Sequence, residues 1–150
     1  MHRSPTSSQP FDLAETGRKA ILVVDTSAVL AALIGQPGPS DLNERLADDG
    51  DLHAPHLIDI ELLHALRRLT MKGQLSEDRA ADARGDFVEL TIVRYPHVNL
   101  MDRIWELRHN LTAYDAAFIA LSEILQVPLI TCDAALASVP GHAVQVEVFR

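Results

Sequence analysis

Residues 21–25 read ILVVD, an unbroken apolar run that ends in an acid. A run with no polar alternation suits a strand buried on both faces, the kind found in parallel sheets covered by helices. Residues 128–131, PLIT, are a second such stretch, followed by Cys132 and Asp133. Shorter strand patterns stand at Leu52–Ala54, at Leu90–Tyr95 and at Ala143–Val148. Helical periodicity fills the intervals: Thr26–Ile34, Ser40–Ala47, His56 to Met71, Ser76 to Val88, Val98–Arg108, Thr112–Leu125 and Ala134–Val139. Gly73 is a helix stop, Ser76 an N-cap with Glu77 and Asp78 favourable in its first turn, and Pro55 fits the first turn of the helix after it. Strands that alternate with helices predict an α/β protein, a parallel-sheet sandwich in one domain. The domain is expected over residues 20–150, behind a loose extension, residues 1–19, rich in Ser, Pro and Thr.

The chain of 150 residues is long enough for one sizeable core, and 47% hydrophobic with 23% charged residues is globular usage rather than that of a disordered chain. No apolar run reaches the roughly 20 residues that span a bilayer, and the first residues hold no apolar block of a secretory signal. Cys132 is the only cysteine, which excludes an internal disulfide and a cysteine-based zinc cluster. A cytoplasmic protein with no membrane partner is the simplest expectation. The net charge of −8, spread over both halves, speaks against a cationic footprint for nucleic acid. It is compatible with a nuclease, since a site that holds divalent metal on carboxylates is acidic until the metal binds.

Four acids stand out by position. Asp25 ends the first buried strand and Asp133 follows the second. In open α/β sheets ligands bind beyond the carboxyl ends of the strands, so both carboxylates are expected in that crevice. Asp115 falls in the first turn of the Thr112 helix, and Glu61 early in the helix after Pro55. Each also has a structural reading. Asp25 and Asp133 can N-cap the helices after them, and Thr112 with Asp115 matches a capping box. Glu61 falls inside the apolar face made by Leu57, Ile58, Leu62, Ala65, Leu66 and Leu69, where a carboxylate needs a partner, a proton or a cation. Asp59 is flanked by Leu63 and Leu66, so burial alone does not separate it from Glu61.

Carboxylate oxygens select hard ions, Mg2+ or Mn2+ rather than zinc, and acids that converge at one sheet end repel one another unless such an ion lies among them. That arrangement suits metal-assisted phosphodiester hydrolysis. Arg68 and Lys72, at i+7 and i+11 from Glu61, are candidates for substrate phosphates or, equally, a solvated basic helix end. Ser27 and Thr131 stand two residues from Asp25 and Asp133 and can orient carboxylates or cap the backbone locally. The seven histidines show no H-x-x-x-H pair, and His53 and His56, flanking a turn, read as surface residues. Cys132, Trp105, Phe87 and Phe118 read as core rather than as reactive thiol or base-stacking platform.

The segments DTSAVLAAL (25–33), APHLIDIELLHALRRL (54–69), LTAYDAAFIALSEIL (111–125) and PLITCDAAL (128–136) resemble, in order and spacing, the four acidic motifs of PIN-domain proteins, with the VapC-type toxins of bacterial toxin–antitoxin pairs as the nearest subgroup. The resemblance implies a three-layer α/β/α sandwich with a central, mainly parallel sheet. It implies an endoribonuclease that depends on Mg2+ or Mn2+, usually a homodimer. On this match Asp25, Glu61, Asp115 and Asp133 are the acidic quartet that binds metal and cleaves RNA through metal-activated water, and Thr131 is the hydroxyl residue before the last acid. The resemblance further implies a VapB-like antitoxin whose C-terminal segment covers the site, often with an Arg, and through which the pair meets operator DNA. The chain departs from the pattern at His64, where the motif often has Asn three residues after its Glu.

Two other function classes can be compared. A non-catalytic PIN-like module that binds metal, RNA or a partner would have no need to keep four acids. A phospho-acceptor receiver needs a lysine after a late strand, yet the only lysines are Lys19 and Lys72; a haloacid-dehalogenase-type phosphatase needs a D-x-D after the first strand, which is absent. No phosphate-binding glycine motif occurs either.

Overall fold

The apolar run at residue 21 does become the middle of the sheet. The computed structural model describes residues 21–35, 40–48 and 51–150. Among these, β1 (Ile21–Val24) pairs in parallel with β2 (Asp51–Pro55) on one side and β4 (Leu129–Thr131) on the other. The edges are β3 (Ile92–Tyr95) beside β2 and β5 (Val146–Val148) beside β4, so that every pairing is parallel and the order is β3-β2-β1-β4-β5. Leu22, Val23 and Val24 are wholly buried, as are Leu129 and Ile130, which is why these two strands lack polar alternation.

Helices cover both faces of the sheet. The helices α1 (Thr26–Ile34), α3 (Leu57–Met71) and α4 (Glu77–Glu89) pack on one another, with α2 (Ser40–Asp48) against α1. In the other layer α5 (Met101–Glu106) packs on α6 (Ala113–Leu125), which lies over β1, β2 and β4; α7 (Ala135–Ser138) packs near β5. The result is a three-layer α/β/α sandwich. Its core joins β1 and β4 to Ile58 and Leu62 of α3 and to Phe118 and Ile119 of α6. Phe87 is buried too, as expected.

Sequence cues locate several helix ends. The Ser76 hydroxyl accepts from the Arg79 N–H at the start of α4, and the Thr112 hydroxyl from the Asp115 N–H at the start of α6. Gly73, with φ +70, follows the end of α3 in the left-handed conformation that glycine adopts without strain.

Four expectations need correction. Pro55 is the last residue of β2, not the first turn of α3: it stands opposite Tyr95, and the next N–H, from His56, still bonds to the Tyr95 carbonyl. His53 is buried in that same longer strand rather than exposed; its Nδ1 stands 2.7 Å from the Tyr95 hydroxyl, and burial holds its pKa below the ordinary imidazole value. The helix predicted over Val98–Arg108 is a 3₁₀ turn, Val98–Leu100, followed by the short α5. Leu100 and Leu107 anchor this stretch in the core, with Ile104 packed against it, and Trp105 is 68% exposed, with the Arg108 guanidinium 4.7 Å from its ring centroid. The extension, residues 1–19, lies outside the described residues.

Candidate active site

Strand order fixes where a site can form. From β1 the chain steps outward to β2 and β3, then returns past β1 to β4 and β5. Connections leave β1 and β4 on opposite sides of the sheet, which opens a crevice at the carboxyl ends of these two strands. Asp25 follows β1 directly, and Asp133 lies two residues beyond β4. The Asp25 N–H bonds to the Ile130 carbonyl at 3.1 Å, which locks the two strand ends together.

Asp25 is at once cap and buried acid. Its Oδ1 accepts from the Ala28 N–H at 3.0 Å, capping α1, and from the Ser27 hydroxyl at 2.7 Å. Its Oδ2 accepts from the Thr131 hydroxyl. Each hydroxyl has one proton to donate, and both give it to Asp25. Their oxygens in turn accept backbone N–H groups, Ser27 from Cys132 at 2.9 Å and Thr131 from Asp133 at 2.9 Å. Ser27 and Thr131 therefore couple the βα turn after β1 to the end of β4. Even with three donors, burial holds the Asp25 carboxyl above the ordinary aspartate pKa, and the negative charge of Asp115 adds to the rise.

The other acids arrive from separate elements. Glu61 projects from α3, and its Oε1 accepts the Thr26 hydroxyl at 2.9 Å. Burial raises its pKa against that bond, helped by the charges of Asp115 and Asp25. Asp115 sits in the first turn of α6; burial raises its pKa, Asp133 raises it further, and Thr112 pulls it back. Asp133 is exposed, and its Oδ1 accepts the Ala135 N–H at 2.9 Å. The repulsions centre on Asp115, which acts on Asp25 and Glu61 and is itself acted on by Asp133, while Asp25 also acts on Glu61. Of the capping roles read from sequence, Asp25 caps α1 and Thr112 caps α6 alongside the convergence, whereas the N-cap of α7 is Ala134 rather than Asp133.

All four acids line one cleft of about 710 Å³, together with Ser27 and Arg68. Thr131 lies buried beneath it. Lys72 does not line it: α3 ends at Met71, and Lys72 is eleven residues from Glu61, about 16 Å along the helix axis. Asp59, the rival of Glu61, is held at both carboxylate oxygens by the Arg94 Nε, at 2.8 and 3.0 Å, and takes no part in the cleft. Thr26 and Tyr114, which the sequence did not single out, line the cleft as well, and so does His64, noted there only as a departure from the motif. Their adjacency to Asp25 and Asp115, or their place one turn from Glu61, is the signal that was available.

The four acids suit a hard divalent ion: they are carboxylates, mutually repelling, and among the described residues no cationic partner is in hydrogen-bond contact with them. Among the described residues no three His, Cys, Asp or Glu side chains form a ready-made cage. Mg2+ does not need one, since it keeps several waters and binds through one or two carboxylates plus substrate phosphates. The residues present therefore fit such an ion.

Comparison with known proteins matches the PIN domain over residues 22–142, which contains all four acids. The chain belongs to the PIN-domain family. Among related PIN proteins, Ribonuclease VapC1 of Mycobacterium tuberculosis is 40% identical over 129 residues, covering 85% of this chain and 97% of its own. Solved PIN structures share the fold. VapBC2 of Rickettsia felis, bound to a DNA fragment from its promoter, aligns with a TM-score of 0.64 at 13% identity over 87% of this chain and 99% of its own. VapC20 of Mycobacterium tuberculosis, described as a toxin that cleaves the sarcin–ricin loop, aligns with a TM-score of 0.58 at 17% identity over 81% and 96% of the two chains.

Proposed function

We propose that this PIN domain is a Mg2+- or Mn2+-dependent endoribonuclease and the toxin of a toxin–antitoxin pair. The observation that carries the reading is the convergence of Asp25, Glu61, Asp115 and Asp133 on one cleft at the switch point of the sheet. The name of the relative Ribonuclease VapC1 supports the choice of RNA as substrate.

Asp25, Asp115 and Asp133 would hold the ion, with Glu61 completing the set. When bound, such an ion lowers the pKa of water and stabilises charge on the phosphoryl oxygens. The protein's own groups do the rest. Ser27, Thr131 and the Ala28 N–H fix the Asp25 carboxylate, so that it needs no reorientation when a ligand arrives. The Thr26 hydroxyl occupies Glu61 Oε1 and leaves Oε2 to accept a proton from the attacking water. In-line attack by water on phosphorus breaks the P–O3′ bond, the 3′-oxygen takes up a proton from solvent, and the products are a 5′-phosphate and a 3′-hydroxyl.

An acidic cleft attracts a basic inhibitor, which suits a VapB-like antitoxin that lays a cationic segment across the acids and supplies the contacts to operator DNA. We expect the active toxin to be a homodimer. No helix among the described residues is long and apolar enough to cross a membrane.

Purified protein, free of antitoxin, is expected to cleave RNA with Mg2+ or Mn2+ and to stop on addition of EDTA. Absence of cleavage with either ion, or Asp25→Asn cleaving like wild type, overturns the reading. RNA binding with a Kd indifferent to EDTA and no product over long incubation would instead mark a non-catalytic module.

A further inference from the structure

The cleft changes charge along one wall. Glu61, His64 and Arg68 all line it from α3, and their spacing of three and then four residues stacks them on one face of the helix. At about 1.5 Å per residue the three cover roughly 10 Å. The wall runs from carboxylate to imidazole to guanidinium.

His64 and Arg68 are both exposed, and among the described residues neither side chain has a hydrogen bond or an ion pair. Other arginines are engaged: Arg94 with Asp59, Arg103 with Glu106 and Glu123, and Arg79 with the Ile34 carbonyl. Arg68 shares a cleft with four acids and pairs with none of them. Its forked donors, and the N–H of His64 one turn away, are left for a ligand that carries acceptor oxygens.

An RNA strand that enters this cleft meets repulsion from the acids. A divalent ion offsets it at the phosphate being cleaved but leaves the flanking phosphates without a partner. A guanidinium matches phosphate oxygens with parallel N–H donors, and phosphate contacts of this kind set the register of a strand. Resting on the ribonuclease reading above, we infer that His64 is a substrate-binding residue which, together with Arg68, seats a backbone phosphate flanking the cleaved one. The strand then lies along α3, with the cut at the Glu61 end and the neighbouring phosphate at the Arg68 end.

The test uses a short oligoribonucleotide that the wild type cuts at one bond. Two further versions carry an uncharged methylphosphonate on one side or the other of that bond, with the adjoining ribose as 2′-deoxy, and a 2′-deoxy phosphate serves as control. His64→Ala is expected to raise KM about 3- to 10-fold, with kcat within about twofold and Tm unchanged. His64→Asn, which keeps a side-chain N–H, recovers most of the loss, and Arg68→Ala raises KM at least as much as His64→Ala. One methylphosphonate position raises the wild-type KM in the same way and erases the difference between wild type and His64→Ala. A KM for His64→Ala within twofold of wild type overturns the inference, as does a penalty that stays the same on both methylphosphonate substrates. Those outcomes leave the ribonuclease reading intact; failure of the wild type to cut any RNA sinks both.

Discussion

Among the described residues, the half-buried acids outside the cleft are treated differently by the fold from the acids inside it. Outside, Asp59 is paired with Arg94, Glu123 with Arg103 and Glu147 with Arg45, all at 2.7 to 2.9 Å. Inside, Asp25, Glu61, Asp115 and Asp133 have hydroxyls, backbone N–H groups and one another, but no ion pair among the described residues, although Arg68 lines the same space. On α3 the two conditions lie two residues apart, at Asp59 and Glu61. A carboxylate with an arginine against it does local structural work. A set of carboxylates held together against their own repulsion is arranged for something that comes from outside.

The largest test of that contrast is on activity. Asp25→Asn should lower RNA cleavage by roughly 100-fold or more, since even residues that merely support a metal ligand commonly cost 10- to 100-fold. Asp59→Asn, on the same count of removed charge, should leave kcat within about twofold in the same assay. Equal losses would erase the distinction.

Thr131→Val tests how the cleft is organised. It removes one donor to Asp25 and leaves the Asp133 N–H without its partner. Loss of activity on the order of 10-fold is expected, together with about 1–2 kcal/mol of stability in urea unfolding. Loss of stability with full activity would reduce Thr131 to a structural residue.

The repulsion itself should show in pH dependence. Asp25, Glu61 and Asp115 have folded pKa values above their unfolded ones. Their contribution to stability is therefore fully present below about pH 4, and is lost as pH rises through the higher folded values. In EDTA, Tm should gain less between pH 4 and 7 in wild type than in Asp115→Asn, and Mg2+ at pH 7 should raise Tm in wild type more than in the variant. Both differences are a few degrees at most, because Asp115 and Glu61 are only half-buried and solvent screens them. A metal-independent Tm would count against the cleft as a cation site.

The smallest effect belongs to the paired acids. Asp59→Asn should destabilise by about 0.5 kcal/mol, the ordinary worth of a partly exposed ion pair, at any Mg2+ concentration. A Mg2+-dependent loss would mean that Asp59 belongs to the cleft after all.

Much of this was legible in the residues. The limits of α1, Thr26–Ile34, follow from an apolar run bounded by Asp25 and Gly35, and the Ser76 and Thr112 caps stand where the pattern puts them. Asp25 and Asp133 read as strand-end acids because the strands before them are continuous in apolar character. Other features were not legible. Asp59 and Glu61 are flanked by similar residues, and only Arg94, arriving on β3, separates them. Trp105 sits at a helical apolar position, yet the helix there is too short to press it into the core, and it stays exposed. His64 lines the cleft because it lies one turn from Glu61 on α3, whereas Lys72 lies beyond the helix end at Met71, about 16 Å along the axis from Glu61.

The residues by themselves determined the alternation of strands and helices and the acid at each strand end, since these depend on local burial patterns and on caps a few positions away. Only the tertiary structure decided that β1 pairs with β4 across more than a hundred positions, and that Glu61 and Asp115 come to the same crevice from opposite helical layers. No local pattern encodes which strands become neighbours; that follows from the direction of the crossovers and from packing helices over both faces of one sheet.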